Sequence, residues 1–426
     1  MIETLKNAWR IPELRKKLLF VVFALVIFRF GYAIYVPYVD TESLAEIFQQ
    51  YSNTLLGYFN TLSGGGFSQA SIFALSVYPY INSSIIMQLL QVAIPALERM
   101  VKDGGEEGRK KLASITRYVT IALSLLMGWT YYIMLRSSGV LLRTDAWSAI
   151  VIIMTFTAGS AFIMWLGEQI NSKGVGNGIS IILFASIVSR GPAAIMTIIN
   201  GMRSGSMNVI SLIIILVVSV LMIGFIVFIT NAERRLPIQY AKRMVGRKLY
   251  GGQSTYLPMK VNMSGVMPII FASSIVSFPG TLIQFLNPKE GTFWYNFGQA
   301  FNQGSVAYIV VYALLIIGFA YFYATIQFNP IEVSNNLKKN GGFIPGFRPG
   351  KPTTDFIAKV LNKITLMGAL FLGIIAIFPL IMSNINGLGG LAIGGTSVLI
   401  LVGVAQETVK QIEAQMLMRH YKGFLE

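Results

Sequence analysis

The sequence predicts an all-α integral membrane protein, and three observations favour this fold class. Hydrophobic residues make up 54% of the 426 residues, charged residues make up only 12%, and the mean hydropathy is +0.62. A soluble chain of this length needs far more charged surface. Long apolar runs recur along the chain, and basic residues are concentrated in alternate connections between them. Because lipid leaves the backbone of an open strand unsatisfied, these runs are predicted to be helices.

Ten hydrophobic windows are candidate transmembrane helices. Most of them approach or exceed the ~20 residues that a helix needs to cross the hydrocarbon layer. The fifth window is the shortest, with 13 residues. The windows are 19–36, 71–96, 118–135, 147–166, 177–189, 208–230, 263–286, 306–328, 364–383 and 388–405.

Lysine and arginine residues are distributed unequally between the two sides of the predicted membrane. Both termini and one set of connections carry 28 of the 34 basic residues, the other set carries five, and Arg29 lies within the first window. Because basic loops stay in the cytoplasm, we expect cytoplasmic N- and C-termini and two long cytoplasmic connections, 231–262 and 329–363. The polar stretch 57–70 is then expected outside.

An internal similarity suggests two related halves. PYINSSII begins at Pro79 in the second window, and PIIFASSI begins at Pro268 in the seventh. With five spans each, the halves 1–200 and 201–426 must be inverted relative to one another. Small residues at these positions are also typical of close helix packing, so both interpretations stay open.

The predicted membrane interior contains almost no ionisable groups. The ten windows have no Asp, Glu, His or Lys, and their one charge, Arg29, is expected to snorkel or to pair with backbone carbonyls. Ion-coupled transporters need such groups near the midplane, so this class is disfavoured. The chain has no cysteine, and its single histidine, His420, lies in the polar C-terminal tail. No metal, cofactor or catalytic site is predicted, and the chain is not expected to be an enzyme.

Two glycine-containing stretches resemble nucleotide-binding loops only superficially. PGFRPGKPT at 345–353 has proline in place of the first glycine and of the Ser/Thr of a phosphate loop. GVGNG at 174–178 follows no strand and is expected to be a flexible helix N-terminus. Neither stretch therefore predicts a phosphate site.

The connection 231–262 is more basic than orientation requires. Its segment RRLPIQYAKRMVGRKLYGG has six basic residues between Arg234 and Lys248, with Tyr240 and Tyr250 beside them. The charges are either surplus orientation charge or a docking surface for a large acidic protein or RNA partner.

Five long stretches resemble the SecY family, whose members form the central subunit of the protein-conducting channel. The resemblance covers essentially the whole chain. It implies two five-helix halves, hinged between the fifth and sixth helices, that enclose an hourglass pore and open sideways towards lipid. The stretches are SGGGFSQASIFALSVYPYINSSIIMQLL, RRLPIQYAKR, QSTYLPMKVNMSGVMPIIFASSI, FNPIEVSNNLKKNGGFIPGFRPG and GGTSVLILV.

The stretch GYFNTLSGGGFSQA before the second window would, on its own, be interpreted as an ordinary flexible outer loop. The resemblance implies instead that residues 57–69 are the plug, a short helix that blocks the pore from outside and leaves when a chain passes. Glycine costs about 0.5–1 kcal/mol per residue in a helix, which would make this piece easy to displace. The implied plug residues are Leu62, Ser63, Gly64, Gly65 and Gly66.

The resemblance also implies an apolar ring at the pore waist and a lateral gate between the second and seventh helices. A narrow apolar ring excludes water and ions by dewetting. The alternative interpretation is that these isoleucines face the protein core or lipid, as isoleucines in helices more often do. The implied ring residues are Ile81, Ile85, Ile179, Leu183, Ile270 and Ile400, with Val77 as an addition. The implied gate residues are Ser83, Ser84, Gln88, Asn262, Ser273 and Ser274.

The resemblance implies a passive channel in the bacterial plasma membrane, driven by the SecA motor or by the ribosome. Signal sequences and nascent polypeptides would enter the gate, and apolar segments would leave sideways into membrane lipid. SecE and SecG are implied as further subunits, and ribosomal RNA as a contact of the basic loops. The implied partner-binding residues are Arg243, Arg247, Lys248 and Arg348.

Two other classes of function stay open. A secondary transporter with inverted repeats would need a polar site at the midplane, where the windows offer mainly Ser, Thr, Asn and apolar residues. A structural or assembly scaffold would need no aqueous path.

Overall fold

The computed structural model describes residues 2–50, 60, 63–205, 208–240, 243–245, 248–250, 254–286, 291–301, 305–383 and 395–422. They form two compact units. The first comprises 1–209, 277–305 and 400–426, and the second comprises 210–276 and 306–399. The division at residue 200 that the sequence suggests stays a prediction.

The described chain is predominantly helical, which confirms the predicted fold class. In chain order its elements are α1 (Ile2–Arg10), α2 (Pro12–Gly31), α3 (Thr41–Gln50), α4 (Tyr78–Ala93), α5 (Pro95–Asp103), α6 (Gly105–Ser137), α7 (Ala146–Lys173), α8 (Gly178–Ser189), α9 (Gly191–Arg203), α10 (Val209–Asn231), β1 (Glu233–Tyr240), β2 (Arg243–Val245), β3 (Lys248–Tyr250), β4 (Ser254–Lys260), α11 (Met267–Leu286), α12 (Phe293–Ala300), α13 (Val306–Gln327), α14 (Pro330–Lys339), β5 (Gly342–Phe343), α15 (Lys351–Ser383) and α16 (Gly395–Lys422).

Each of the ten hydrophobic windows is helical over most of its described residues. Within the described part of the chain, six helices are long and apolar enough to cross a membrane, and a seventh span appears if α4 and α5 are counted together. The protein is therefore a multi-pass membrane protein, and the count of ten spans stays a prediction.

The second window differs from its expected form. It was expected to be one helix over 71–96, but residues 71–77 are turns and bridge, α4 begins at Tyr78, and the chain bends by 96° between α4 and α5. Both limits have local causes. Ser76 has a positive φ of 48°, which no α-helix accommodates, and Pro95 restricts the residue before it to extended conformations.

The core of the first unit forms around α3, α6 and α7. Leu44 and Phe48 of α3, Tyr131 of α6 and Phe156 of α7 are buried in one cluster with Phe67. Each of these side chains removes its apolar surface from solvent, which is the main favourable term in packing.

The start and end of the chain meet within the first unit. Thr4 donates a hydrogen bond to Glu413 at 3.0 Å, and Lys17 donates one to Gln415 at 3.2 Å. Buried Ala8, Leu14, Val175 and Ile412 form a small apolar cluster at this place. Helices α1 and α2 are therefore tied to the far end of α16.

The second unit contains a small antiparallel sheet in the strand order β4-β1-β5. Leu236 and Ile238 of β1 point into a buried cluster with Met259 and Ile344, while their neighbours in the strand are exposed. The sequence analysis treated 231–262 and 329–363 as separate loops, but β1 pairs with β5 through Gln239↔Phe343 and Tyr240↔Gly342. The two connections therefore form one folded platform.

Candidate functional site

The implied plug segment forms successive turns where it is described. Residues 57–59 and 61–62, including Leu62, lie outside the described residues, Asn60 is helical, and 63–70 are turns. The expected short helix is therefore wrong for 63–70. The physical reason is the backbone, since Gly64 and Gly65 have φ of 67° and 92° in the left-handed region that favours glycine.

The three consecutive glycines meet three different requirements. Gly64 combines positive φ with a close approach, because a Cβ there would lie 3.1 Å from the Ser186 carbonyl oxygen. Gly65 needs only the positive φ, since nothing lies within 4 Å of its Cβ position. A Cβ at Gly66 would lie 2.4 Å from the Tyr32 ring. The three glycines therefore allow the segment to turn sharply and to pack closely against Ser186 and Tyr32. This role differs from the expected one, which was to weaken a helix.

Polar groups inside the segment form hydrogen bonds with one another. Asn60 accepts a hydrogen bond from the Ser68 backbone N–H at 2.9 Å through its side chain, and one from Gly65 N–H at 2.8 Å through its carbonyl. Buried Ser63 accepts one from the Phe67 N–H at 3.1 Å. These local bonds hold the turns without a regular helix.

Phe67 anchors the segment to the rest of the first unit. Its ring stacks on Tyr131 with centroids 4.1 Å apart and meets Phe48 edge-on at 5.5 Å. The Tyr131 hydroxyl donates a hydrogen bond to the Phe67 carbonyl. We call Phe48, Phe67, Tyr131 and Phe156 the aromatic clasp. The aromatic clasp was not predicted from the sequence, although Phe67 is the only apolar side chain within 63–69.

Helix α3, which carries Phe48, is fixed at its start by Asp40. The Asp40 carboxylate accepts hydrogen bonds from the Ser43 hydroxyl at 2.6 Å and from the Glu42 N–H at 3.1 Å. The Ser43 hydroxyl and then the Ser43 N–H hold the pKa of Asp40 below its ordinary value, because they stabilise the charged form.

We expect a Tyr131→Phe variant to loosen the clasp while leaving its rings stacked. The variant removes the Tyr131 hydroxyl from the Phe67 carbonyl, which keeps only a longer bond from the Ala70 N–H at 3.4 Å. The loss costs about 1 kcal/mol or about a fivefold change in population. The measurement is the maleimide modification rate of a single cysteine at buried Ser63, which should rise about fivefold. Tyr118→Phe, on the exposed side of the same helix, is the control and should leave the rate unchanged. Equal rates in both variants would contradict the anchoring role.

Two implied ring residues lie one helical turn apart on α4. Ile81 and Ile85 are both buried, and Val77, just before the helix, is buried as well. Among the implied gate residues of this helix, Ser83 donates to the Thr116 carbonyl of α6 at 2.7 Å, and Gln88 donates to Ser84 at 3.2 Å. Ser83 therefore holds α4 against its own unit.

Ile179 and Leu183 lie one turn apart on α8, whose start is closely packed. Asn177 caps the helix by accepting from the Ile179 and Ser180 N–H groups. A Cβ at Gly178 would lie 2.0 Å from the Gly167 carbonyl oxygen, so α8 and α7 touch here. The predicted helix start at 174–178 is confirmed, because α8 begins at Gly178, but the stretch is closely packed where a flexible one was expected. Its close packing gives the glycines a steric reason.

On α11 the implied ring residue Ile270 is buried, and its carbonyl accepts hydrogen bonds from both Ser273 at 2.8 Å and Ser274 at 2.9 Å. Pro268 is the second residue of α11, as Pro79 is of α4. The similar segments PYINSSII and PIIFASSI therefore both lie at helix starts. Proline is favoured in the first turn of a helix, because the N–H that it lacks would have no partner there.

The remaining implied residues of the pore and gate lie on other elements. Ile400 is buried on α16. Asn262 is buried before α11, where it lines a cavity of about 10 Å³ with Ser264 of the same segment and Thr365 of α15. That volume holds about one water molecule. The assignment of all these residues to a ring and a gate stays a prediction.

Of the implied partner-binding residues, Arg348 is exposed on an ordered turn. The Arg348 carbonyl accepts from the Thr353 hydroxyl at 2.8 Å, and the preceding Phe347 stacks on Phe356 at 4.0 Å. Arg243 and Lys248 lie in the β2–β3 hairpin, where Arg243 pairs with Tyr250 and Lys248 with Val245. Arg247 lies outside the described residues.

No group of three or more His, Asp or Glu side chains that could hold a metal occurs among the described residues. The ion pair between Arg117 of α6 and Glu168 of α7, at 2.7 Å, joins two long helices of the first unit.

Comparisons with known proteins give a consistent family. The SecY family model matches residues 71–409. The protein translocase subunit SecY of Streptomyces coelicolor is 42% identical over 440 residues, covering all of both chains. That of Thermotoga maritima is 42% identical over 438 residues, covering 100% of this chain and 98% of its own.

Two solved structures share the fold. One, described as the structure of a protein conducting channel, has a TM-score of 0.67 at 17% identity and covers 97% of each chain. The other, Sec61 in a canine ribosome-channel complex from the endoplasmic reticulum, has a TM-score of 0.62 at 16% identity and also covers 97% of each chain.

Proposed function

The chain belongs to the SecY family of protein translocase subunits, and on that premise we propose how its own residues conduct a polypeptide. It is a subunit of a protein translocation channel in the plasma membrane. The conducting path is a passive pore. Its waist is closed by Ile81, Ile85, Ile179, Leu183, Ile270 and Ile400, and no residue of the chain acts as a catalyst.

The observation that carries this proposal is the repeated pair of apolar side chains one turn apart, Ile81 with Ile85 and Ile179 with Leu183. The two helices that carry them contain no Asp, Glu, His, Lys or Arg of their own. An apolar waist repels water and ions when it is narrow, yet it makes no bond that a passing chain must break. Any polypeptide can therefore pass, whatever its sequence.

Sorting between export and membrane insertion is a partition between the pore and lipid. An apolar segment gains a few tenths of a kcal/mol per residue in lipid, whereas one central charge costs about 2.5–3.5 kcal/mol. The side opening is the seam between α4 and α11, where Ser84, Gln88, Asn262, Ser273 and Ser274, with Ser83 behind them, limit the apolar contact that must be broken. The segment 57–69 closes the pore at rest.

The basic platform formed by 231–262 and 329–363 is the cytoplasmic docking surface. Arg348 stands on a turn held by Thr353, so a partner need not order it on binding. Basic side chains suit both the phosphates of ribosomal RNA and the acidic surface of a motor such as SecA. SecE and SecG complete the channel, and both termini of the chain are cytoplasmic.

Cross-linking to a chain in transit tests the proposal, and the absence of native cysteine makes it direct. A single cysteine replaces Ile81, and an arrested secretory precursor carries another. We expect a disulfide between them that requires both the precursor and its motor or ribosome. Ile150→Cys, exposed on α7, is the matched control and should not cross-link. Cross-links confined to Ile150, or equal at both positions, would reject a central path.

A further inference from the structure

Helix α12 carries an apolar face that the described part of the first unit leaves uncovered. The Phe293 side chain is 73% exposed and that of Trp294 is 53% exposed. Residues 291–301 contain no charged side chain. An exposed aromatic cluster without charges needs a specific explanation, because isolated apolar side chains are ordinary on surfaces but contiguous ones mark a binding face.

The helical spacing of α12 divides it into two faces. At 100° per residue, Phe293, Trp294, Phe297 and the following Phe301 fall within an arc of about 100°, and Tyr295 and Asn296 fall opposite. The rings on the first face touch one another, with centroids 5.9 Å apart for Phe293–Trp294 and 4.8 Å for Phe297–Phe301. They form one continuous aromatic surface.

Helix α3 provides a contrast within the same unit. It too is short and amphipathic, but its apolar residues Leu44 and Phe48 are buried against the protein core. Its other face carries the acidic residues Glu42 and Glu46. Helix α12 has the same division of faces, but Phe293 and Trp294 stay exposed, Phe297 is only half-buried, and the helix carries no charge.

The covalent chain keeps α12 near the membrane. Six residues separate it from the end of α11 at Leu286, and five separate it from the start of α13 at Val306. At about 3.5 Å per residue, α12 can lie no more than about 20–25 Å from either helix end. Helix α13 is long and apolar enough to cross a membrane, and its first residue, Val306, is itself exposed.

We propose that α12 lies flat in the headgroup region of the bilayer, with Phe293, Trp294, Phe297 and Phe301 inserted among the lipid chains. Helices that lie in this region typically bury Trp, Phe and Leu side chains on their apolar face, and the Trp294 N–H can bind water or headgroups. The absence of charge fits a neutral phospholipid surface better than an anionic one. The helix thereby holds the connection between α11 and α13 at a fixed depth.

The test uses single cysteines in the full chain, assembled in vesicles of phosphatidylcholine with or without brominated acyl chains. A bimane label at Phe293→Cys, placed in a Trp294→Phe background because an adjacent indole quenches bimane, should lose fluorescence in brominated vesicles relative to plain ones, since bromine quenches only at short range. Phe301→Cys gives a second reading on the same face. Asn296→Cys should instead be quenched by aqueous iodide, and Phe48→Cys, buried in protein, by neither.

Three outcomes would overturn the proposal. The first is equal fluorescence of the Phe293 label in brominated and plain vesicles. The second is iodide quenching at positions 293 and 301 as strong as at 296. The third is protection of both positions with cross-linking to a second copy of the chain, which would identify the face as a protein interface. No precursor or motor is present, so the result does not depend on the proposed translocation path.

Discussion

A Gly159→Val variant will be strongly destabilised in its first unit, more than the Tyr131→Phe variant. A Cβ at Gly159, in the middle of α7, would lie 1.9 Å from the Ile72 carbonyl oxygen. The backbone fixes the position of a Cβ, and the Ile72 oxygen is itself a backbone atom. No side-chain rotation therefore relieves the overlap. Overpacking of this kind costs about 3 kcal/mol, equivalent to about a hundredfold in the folding equilibrium.

The segment opposite Gly159 cannot move away, because it is held on two sides. Ile72 donates a backbone hydrogen bond to the Ile34 carbonyl at 3.0 Å. The Phe73 ring stacks on Phe28 at 6.1 Å and on Phe162 at 5.8 Å. Moving the segment would break these contacts at the same time, so the variant must distort either α7 or the turns that precede α4.

The measurement is the thermal unfolding midpoint of the purified protein in detergent. Gly159→Val should lower it strongly, and Gly159→Ala should lower it less, because alanine adds the same Cβ without further branches. Gly318→Ala on α13 is the matched control, since nothing lies within 4 Å of its Cβ position. Midpoints of the Gly159 variants equal to that of Gly318→Ala would show that α7 is free to move here.

The triple variant Ile81→Ser, Ile270→Ser and Ile400→Ser will conduct ions in the absence of a substrate. The proposed seal depends on the cost of water entering a narrow apolar waist, and hydroxyl groups remove that cost. We expect the resting conductance of the assembled channel in planar bilayers to rise at least about tenfold. The backbone and helix lengths stay the same, so the effect is expected on the pore and only weakly on folding.

A matched triple variant separates the waist from a general loss of packing. Ile150→Ser, Ile213→Ser and Ile374→Ser make the same chemical change at three exposed helix positions. This control should stay closed. Unchanged conductance in the first variant, or equal conductance in both, would remove the ring assignment while leaving the family membership intact.

The helices could be predicted from the sequence because apolar length is a local property. Each window is helical over most of its described residues, and the second window is interrupted where proline or a positive φ intervenes, at Pro95 and Ser76. The platform strands were missed, since β1 has the alternation of Leu236 and Ile238 but only eight residues within a highly basic connection. Its pairing with β5 joins residues about a hundred positions apart, which no local pattern reveals.

The plug segment shows a different limit. Its glycines were identified correctly as special, but their role required the φ angles and the neighbouring atoms. The clasp partner of Phe67 is Tyr131, 64 residues away, so its identity depends on tertiary packing. The residues implied for the ring and gate came from family resemblance, because isoleucine and serine in helices carry no signal of their own.

Two residue pairs, Gln239↔Phe343 and Tyr240↔Gly342, join the connections 231–262 and 329–363 into one sheet. Helix α10 runs directly into β1, β4 leads towards α11, and β5 lies between α14 and α15. A force applied to this sheet is therefore transmitted to four helices at once. It would displace these helices together more readily than it would bend a single loop.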